Sequence, residues 1–296
     1  MKRLRNMTGS RWARAALPLL GLCLLSLSPA PPATAQPANH RAALPVLTSV
    51  TARHVGNVDR VVFAFTGGVP ATVHPEWVDT LVHDGSGLPV RVAGAKVLSV
   101  VMTSAQAHDQ GGSTVPGRTA FSLPNVITAV GAGDFEGVVT FGLGVQKKTT
   151  FHVSIQAHRV VVDVGAAFPT STRKVFLVNQ NANVVPVLRP VPSASPAAGA
   201  LQSLFAGPTT AERANGLRLV RSRAWGFDHL SITGGIARLR LTRGCNSGGS
   251  TVTVASEIVP TLKQFPSVDW VKILAPGGQT EQPSGPSDSI PACLEP

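Results

Sequence analysis

Apolar and polar positions change rhythm twice along this chain of 296 residues. A short apolar run over residues 15–27, broken by Pro18, comes first. From residue 45 to about 165 the apolar runs are short and β-branched, with almost no helical period. Residues 61–65 read Val, Val, Phe, Ala, Phe and stop at Thr66-Gly67-Gly68. Residues 81–83 and 89–92 flank Asp84-Gly85-Ser86-Gly87, which predicts a hairpin around a glycine turn. Further strands are predicted over 96–103, 126–130, 138–142, 149–155 and 159–164. Short strands at regular spacing, parted by Gly, Asp and Pro, predict an antiparallel β-sandwich. Val160, Val161 and Val162 are apolar on both faces, which places the last strand inside its sheet.

After residue 172 helices enter. Residues 174–178 and 184–191 read as two strands around a turn cluster, and the prolines of the second suit an edge. Ser195 and Pro196 form a helix start, with Ala200, Leu201, Leu204 and Phe205 as its stripe and Gly207-Pro208 as its stop. Thr209 and Glu212 have capping-box spacing. Residues 230–232 and 236–241 flank Thr233-Gly234-Gly235 as a second hairpin. Ser250 opens a helix carrying Val254, Ile258, Leu262 and Phe265, with Pro260 inside it as a kink. Residues 270–274 are the last strand. The expected fold is mainly β with α+β: an antiparallel β-sandwich followed by a small α+β domain.

The leading apolar run gains meaning from its flanks. Lys2, Arg3, Arg5, Arg11 and Arg14 precede it without an acid, and Ala33 and Ala35 give an A-x-A site before Gln36. That order is a secretory signal peptide, too short to span a bilayer. The expected location is extracytoplasmic, in the envelope or secreted, with no transmembrane anchor after cleavage. Lipidation of Cys23 is disfavoured because Leu22 precedes it and it lies within the run. Twin-arginine export lacks an adjacent arginine pair. The expected division is a signal peptide at 1–35, a disordered linker at 36–44 and the sandwich at 45–165. A linker at 166–172, the α+β domain at 173–276 and a tail at 277–296 follow.

Charge then narrows the partners. The whole chain carries +11, and removing residues 1–35 takes five basic residues and no acids, leaving +6. A mildly basic exported protein suits acidic wall polymers or lipid headgroups. Nucleic acid is a poor fit, since the basic residues are dispersed without interleaved aromatics. Tyr is absent, so no open aromatic platform is expected for sugars. Beyond the leader only Cys245 and Cys293 remain. In an oxidising compartment they are expected to form a disulfide, contributing about 4 kcal/mol by closing a long loop and fastening the tail.

Two stretches resemble known families. His54-Val55-Gly56-Asn57-Val58-Asp59-Arg60-Val61-Val62-Phe63-Ala64-Phe65 is similar to the opening strand of the AMIN-like domain of actinobacterial envelope proteins. Ala107-His108-Asp109, Gly133-Asp134-Phe135-Glu136-Gly137 and Arg159-Val160-Val161-Val162-Asp163-Val164 follow the same pattern in order. The similarity covers about residues 45–165 and implies a β-sandwich with a wall-targeting or docking role. Val175-Phe176-Leu177-Val178, Leu204-Phe205-Ala206-Gly207-Pro208-Thr209, Gly234-Gly235-Ile236-Ala237-Arg238-Leu239 and Gln264-Phe265-Pro266-Ser267-Val268 resemble the GerMN domain over about 173–276. That resemblance implies an α+β domain and an envelope role without an established chemistry.

Candidate chemistry is sparse. No G-x-S-x-G or H-x-x-x-H occurs, and Ser86 is explained by its turn. Asn246-Ser247-Gly248-Gly249-Ser250 reads either as an anion loop or, with more weight, as a plain helix start. His54, Arg60, His108, Asp109, Asp134 and Glu136 have two main readings. In one, Arg60 pairs with Asp134 or Glu136 and fastens two loops; in the other, the six converge on an acidic or amide-bearing wall fragment. A metal is the third reading, weakened by the absence of tight ligand spacing. No catalytic residue, metal or cofactor is expected. The function expected is non-catalytic binding of cell-wall material, peptidoglycan or an attached polymer, or docking of an envelope protein. The alternatives are a protein-binding regulator of a wall hydrolase or transport system and, last, an unrecognised hydrolase.

Overall fold

Eleven strands occupy the first half of the computed structural model, which describes residues 43–296. The expected signal peptide, Cys23 and residues 36–42 of the expected linker lie outside the described residues. The strands are β1 (Val46–Val55), β2 (Val58–Thr66), β3 (Thr72–Val78), β4 (Lys96–Thr103), β5 (His108–Asp109), β6 (Gly112–Ser113), β7 (Arg118–Ala120), β8 (Val126–Phe135), β9 (Val138–Val145), β10 (Phe151–Gln156) and β11 (Arg159–Gly165). One sheet runs β1-β2-β11-β10 and the other β3-β4-β9-β8-β7, all antiparallel. Strict alternation on β2 buries Asp59, Val61, Phe63 and Phe65 on one face, the period-2 signature of a strand with one face in the core. Phe63 meets Phe141 of the facing sheet edge-on, centroids 5.4 Å apart, so aromatic contact joins the two layers. β11 lies between β2 and β10, as its all-apolar centre requires.

Local chemistry explains where strands differ from expectation. The single opening strand is a hairpin, because Gly56 takes φ +58° and turns β1 into β2. β3 is an added edge strand, and an edge tolerates Pro75, whose missing N–H would break an inner ladder. The hairpin expected over 81–92 shrinks to one bridge, Val82 with Pro89, held by His83 N–H to Leu88 O at 2.9 Å and Val90 N–H to Leu81 O at 2.8 Å.

The second half contains β12 (Thr170–Val178), β13 (Val184–Pro192), α1 (Pro196–Ala206), α2 (Thr210–Ala214), β14 (Gly226–Thr233), β15 (Ile236–Thr242), α3 (Val254–Lys263) and β16 (Trp270–Leu274). β12 and β13 pair as a ribbon, and β14-β15-β16 form a sheet in which β15 and β16 run parallel. α1 starts with proline and ends at Gly207, φ +86°. The Thr209–Glu212 capping box is formed on α2. The helix expected from Ser250 begins at Val254 instead, because Ser250 Oγ spends itself on the N–H and C=O of Val252. α3 runs unbroken through Pro260, and Thr261 Oγ donates to the Glu257 carbonyl at 2.7 Å.

Cys245 and Cys293 form a disulfide, with Cα atoms 5.6 Å apart. Behind it the tail is paired: Ile273 N–H donates to Ser289 O and Ser289 N–H to Val271 O, both at 2.9 Å. Leu294 is buried against the α+β core. That same core takes in Ala93, Ala120 and Ile127 from the first half. Gln146 Nε2 also donates to Pro190 O at 2.9 Å across the seam. Gly199 of α1 permits this close approach, since a Cβ there would meet Val191 Cβ at 2.8 Å as well as Gln146 Oε1 at 2.6 Å. The described residues therefore pack as one compact unit.

Candidate functional site

The six residues singled out from sequence fall into two places. Asp59 is fully buried and accepts the N–H groups of Asn125 at 2.6 Å and Val126 at 2.8 Å, with His54 Nδ1 at 2.8 Å. Asp59 thereby ties the β1–β2 hairpin to the beginning of β8. Arg60 stands opposite Asp163 in the β2–β11 register and makes a two-pronged pair with it at 2.7 Å, rather than pairing with Asp134 or Glu136. The Arg60 hydrogen bonds hold the Asp163 carboxyl below its ordinary range. At the other end of β8, His108 Nδ1 lies 2.7 Å from Asp134 Oδ2, and the Ala107 N–H donates to Asp134 Oδ1. Asp109 Oδ1 accepts from Gly111 N–H in the β5–β6 turn. Glu136 turns β8 into β9 at φ 50° and has no side-chain partner among the described residues. Val126 and Asp134 are eight steps apart along β8, about 26 Å at about 3.3 Å each. His54 and Asp134 line separate hollows of about 410 and 270 Å³.

The loop at 246–250 consumes its own amides: Asn246 Oδ1 accepts from Gly248 and Ser247 Oγ from Gly249. Among the described residues no three His, Cys, Asp or Glu side chains are grouped to hold a metal.

Sequence reasoning missed a cleft of about 350 Å³ at the seam between the halves, lined by residues 79–97 on one side and 202–243 on the other. Arg91 lines it, and Arg118 Nη2 donates to the Arg91 carbonyl. Arg221 Nη1 donates to the carbonyl of Phe205, another lining residue, at 3.2 Å. Arg243 lies over the Trp225 ring, 5.2 Å from its centroid. Burial, with Arg91 nearby, lowers Arg118 to about 10; burial, with Arg91 and Arg118, lowers Arg221 to about 9. All three remain cations at neutral pH, so the cluster repels itself. Positions 91, 118 and 221 share no motif, and only the fold brings them near one another.

Next to Arg221 lies Glu257 of α3, fully buried, with both carboxyl oxygens accepting the Val220 N–H at 3.2 and 3.1 Å. Burial pushes this carboxyl up to about 8. Because the unfolded glutamate titrates near 4.5, the folded state holds the extra proton between these values. Stability therefore falls as pH rises through that window and levels above it. Glu257→Gln is expected to remove this decline. Urea unfolding at pH 6 and pH 9 should show wild type losing about 3 kcal/mol more than the variant over that interval.

With the fold and these sites described, the comparisons place the chain. Residues 45–166 match the family model of the AMIN-like domain, and residues 168–281 match that of sporulation and spore germination, Germane. The chain carries an AMIN-like domain followed by a Germane domain. Two solved structures from the sporulation protein GerM of Bacillus subtilis are similar to part of this chain. Its tandem GerMN domains share 24% identity over 40% of this chain and 44% of that one, with a TM-score of 0.30. Its first GerMN domain shares 24% identity over 40% of this chain and 93% of that one, with a TM-score of 0.32. This chain thus spans under half the length of the tandem protein. Comparison with curated proteins gives no significant match. AMIN-like and Germane domains are binding-type domains of envelope- and sporulation-related proteins. Among the described residues no helix is long and apolar enough to cross a membrane.

Proposed function

We propose that this protein is exported and works without a reaction of its own, binding cell-wall material, peptidoglycan or an attached polymer, in the envelope. The observation that carries this reading is the fusion of an AMIN-like and a Germane domain around one shared core, with Ala93, Ala120 and Ile127 packed beside Leu201 and Phe205. A shared core gives a rigid body that presents both domains to one polymer. The disulfide supports an oxidising location. The hollows lined by His54 and by Asp134, the latter bonded to His108, are proposed contacts for wall fragments, while Arg60, Asp109 and Glu136 line neither.

Cosedimentation with purified sacculi tests the reading, using the chain from Gln36 onward at physiological salt. Retention several-fold above a size-matched basic control is expected. Retention equal to the control would remove wall binding. Docking on a protein partner, or regulation of a wall hydrolase or transport system, is the second reading, favoured by the exposed Phe135 and Leu188, 67% and 62% accessible. Crosslinking in intact cells would then return a protein.

A further inference from the structure

We propose that the seam between the AMIN-like and Germane domains binds an oxyanion, phosphate or carboxylate, carried by an acidic wall polymer, with Arg91 in the cleft lining and Arg118 and Arg221, bonded to carbonyls of lining residues, adding charge from behind it. This rests on the wall-binding reading above and names the chemistry of the polymer. Arg91 Nε and Arg118 Nη1 are shielded from solvent and, among the described residues, have no hydrogen-bond partner. Among the described residues no carboxylate forms an ion pair with Arg91 or Arg118, and Glu257, the acid beside Arg221, accepts the Val220 N–H instead of a guanidinium. The single acid in the cleft lining, Asp79, is held by Lys96 at 2.9 Å.

A structural role explains the bonds to the Arg91 and Phe205 carbonyls, since guanidinium groups often brace loops. It leaves the unpaired N–H groups and the repulsion among three cations unexplained. Burying a cation without a counter-ion costs several kcal/mol. A fold that keeps such groups at a cleft is balanced for something that arrives with negative charge. The cleft volume lies in the ordinary range for small ligands, roughly 300–1,000 Å³. The exposed Arg243 over Trp225 adds charge where the cleft opens to solvent. Because both domains line the cleft, an oxyanion there would also clamp them together.

The test uses the chain from Gln36 onward and inorganic phosphate, with chloride at matched ionic strength as control. Phosphate is expected to raise the unfolding temperature in a saturable way that chloride does not reproduce. The double variant Arg91→Gln, Arg118→Gln should bind phosphate at least ~10-fold more weakly. Without phosphate it should unfold at the same or a higher temperature than wild type, since like charges have been removed. If that variant does not fold, Arg243→Gln, at an exposed position, should still weaken phosphate severalfold. Equal shifts with phosphate and chloride, or unchanged affinity in the variants, would overturn the proposal. Competition by poly(glycerol phosphate) or by polygalacturonate identifies a phosphate or a carboxylate polymer, and competition by neither overturns the polymer assignment. Sacculus retention without a phosphate effect ends the seam proposal and leaves wall binding standing. A phosphate effect without retention ends wall binding and leaves the seam as an anion site.

Discussion

Asp59→Ala is expected to destabilise the AMIN-like domain by about 3–5 kcal/mol, read as a lower urea midpoint with an unchanged slope. The carboxylate is fully buried and accepts two backbone N–H groups, Asn125 and Val126, at the start of β8. Removing it strands both donors inside the sandwich, where each unmet donor costs about 1–3 kcal/mol. His54 Nδ1 also loses its hydrogen-bond partner, a smaller effect because that imidazole is exposed. Asp59→Asn keeps an acceptor oxygen and should fall between wild type and alanine. A loss below about 1 kcal/mol for alanine would mean that the β1–β2 hairpin is not fastened to β8 through this residue.

Serine at both Cys245 and Cys293 is expected to cost about 4 kcal/mol, from the loop of 48 residues that the bond closes in the unfolded chain. For a chain of this size that is a fall of about 10 °C in the unfolding temperature. The loss should come with release of the tail, because Leu294 is buried on the α+β core and Cys293 O accepts the Ser247 N–H at 2.8 Å. Proteolysis would show it as new cleavage after residue 276 in the serine variant. Treatment of wild type with reductant should reproduce both effects. An unchanged unfolding temperature with an intact tail would show that the strand pairing at Ser289, rather than the bond, holds the tail.

The sandwich was legible because each core strand carries its own signal. Residues 96–103 and 270–274 coincide with β4 and β16. Val160 to Val162 announced an interior strand by being apolar on both faces. Turn chemistry was harder to read. Gly56-Asn57 split one expected strand into two, while the hairpin over 81–92 came down to a single bridge. The capping box at Thr209 and Glu212 was visible because its rule is local. The additional role of Glu212 was not: it also accepts from both terminal guanidinium nitrogens of the buried Arg189, 23 residues away. Charge partners follow the same division. Sequence offered Asp134 or Glu136 to Arg60, but sheet register, a long-range property, assigned Asp163. The seam arginines lay further out of reach, since their meeting depends on how two domains share a core.

The most direct measurement is made on the native protein in the cell that produces it: its N-terminus, the oxidation state of its cysteines, and the fraction that holds it. The account predicts a chain starting at Gln36, with Cys245 bonded to Cys293, recovered with the wall. A full-length chain with free thiols in the soluble cell interior would contradict it.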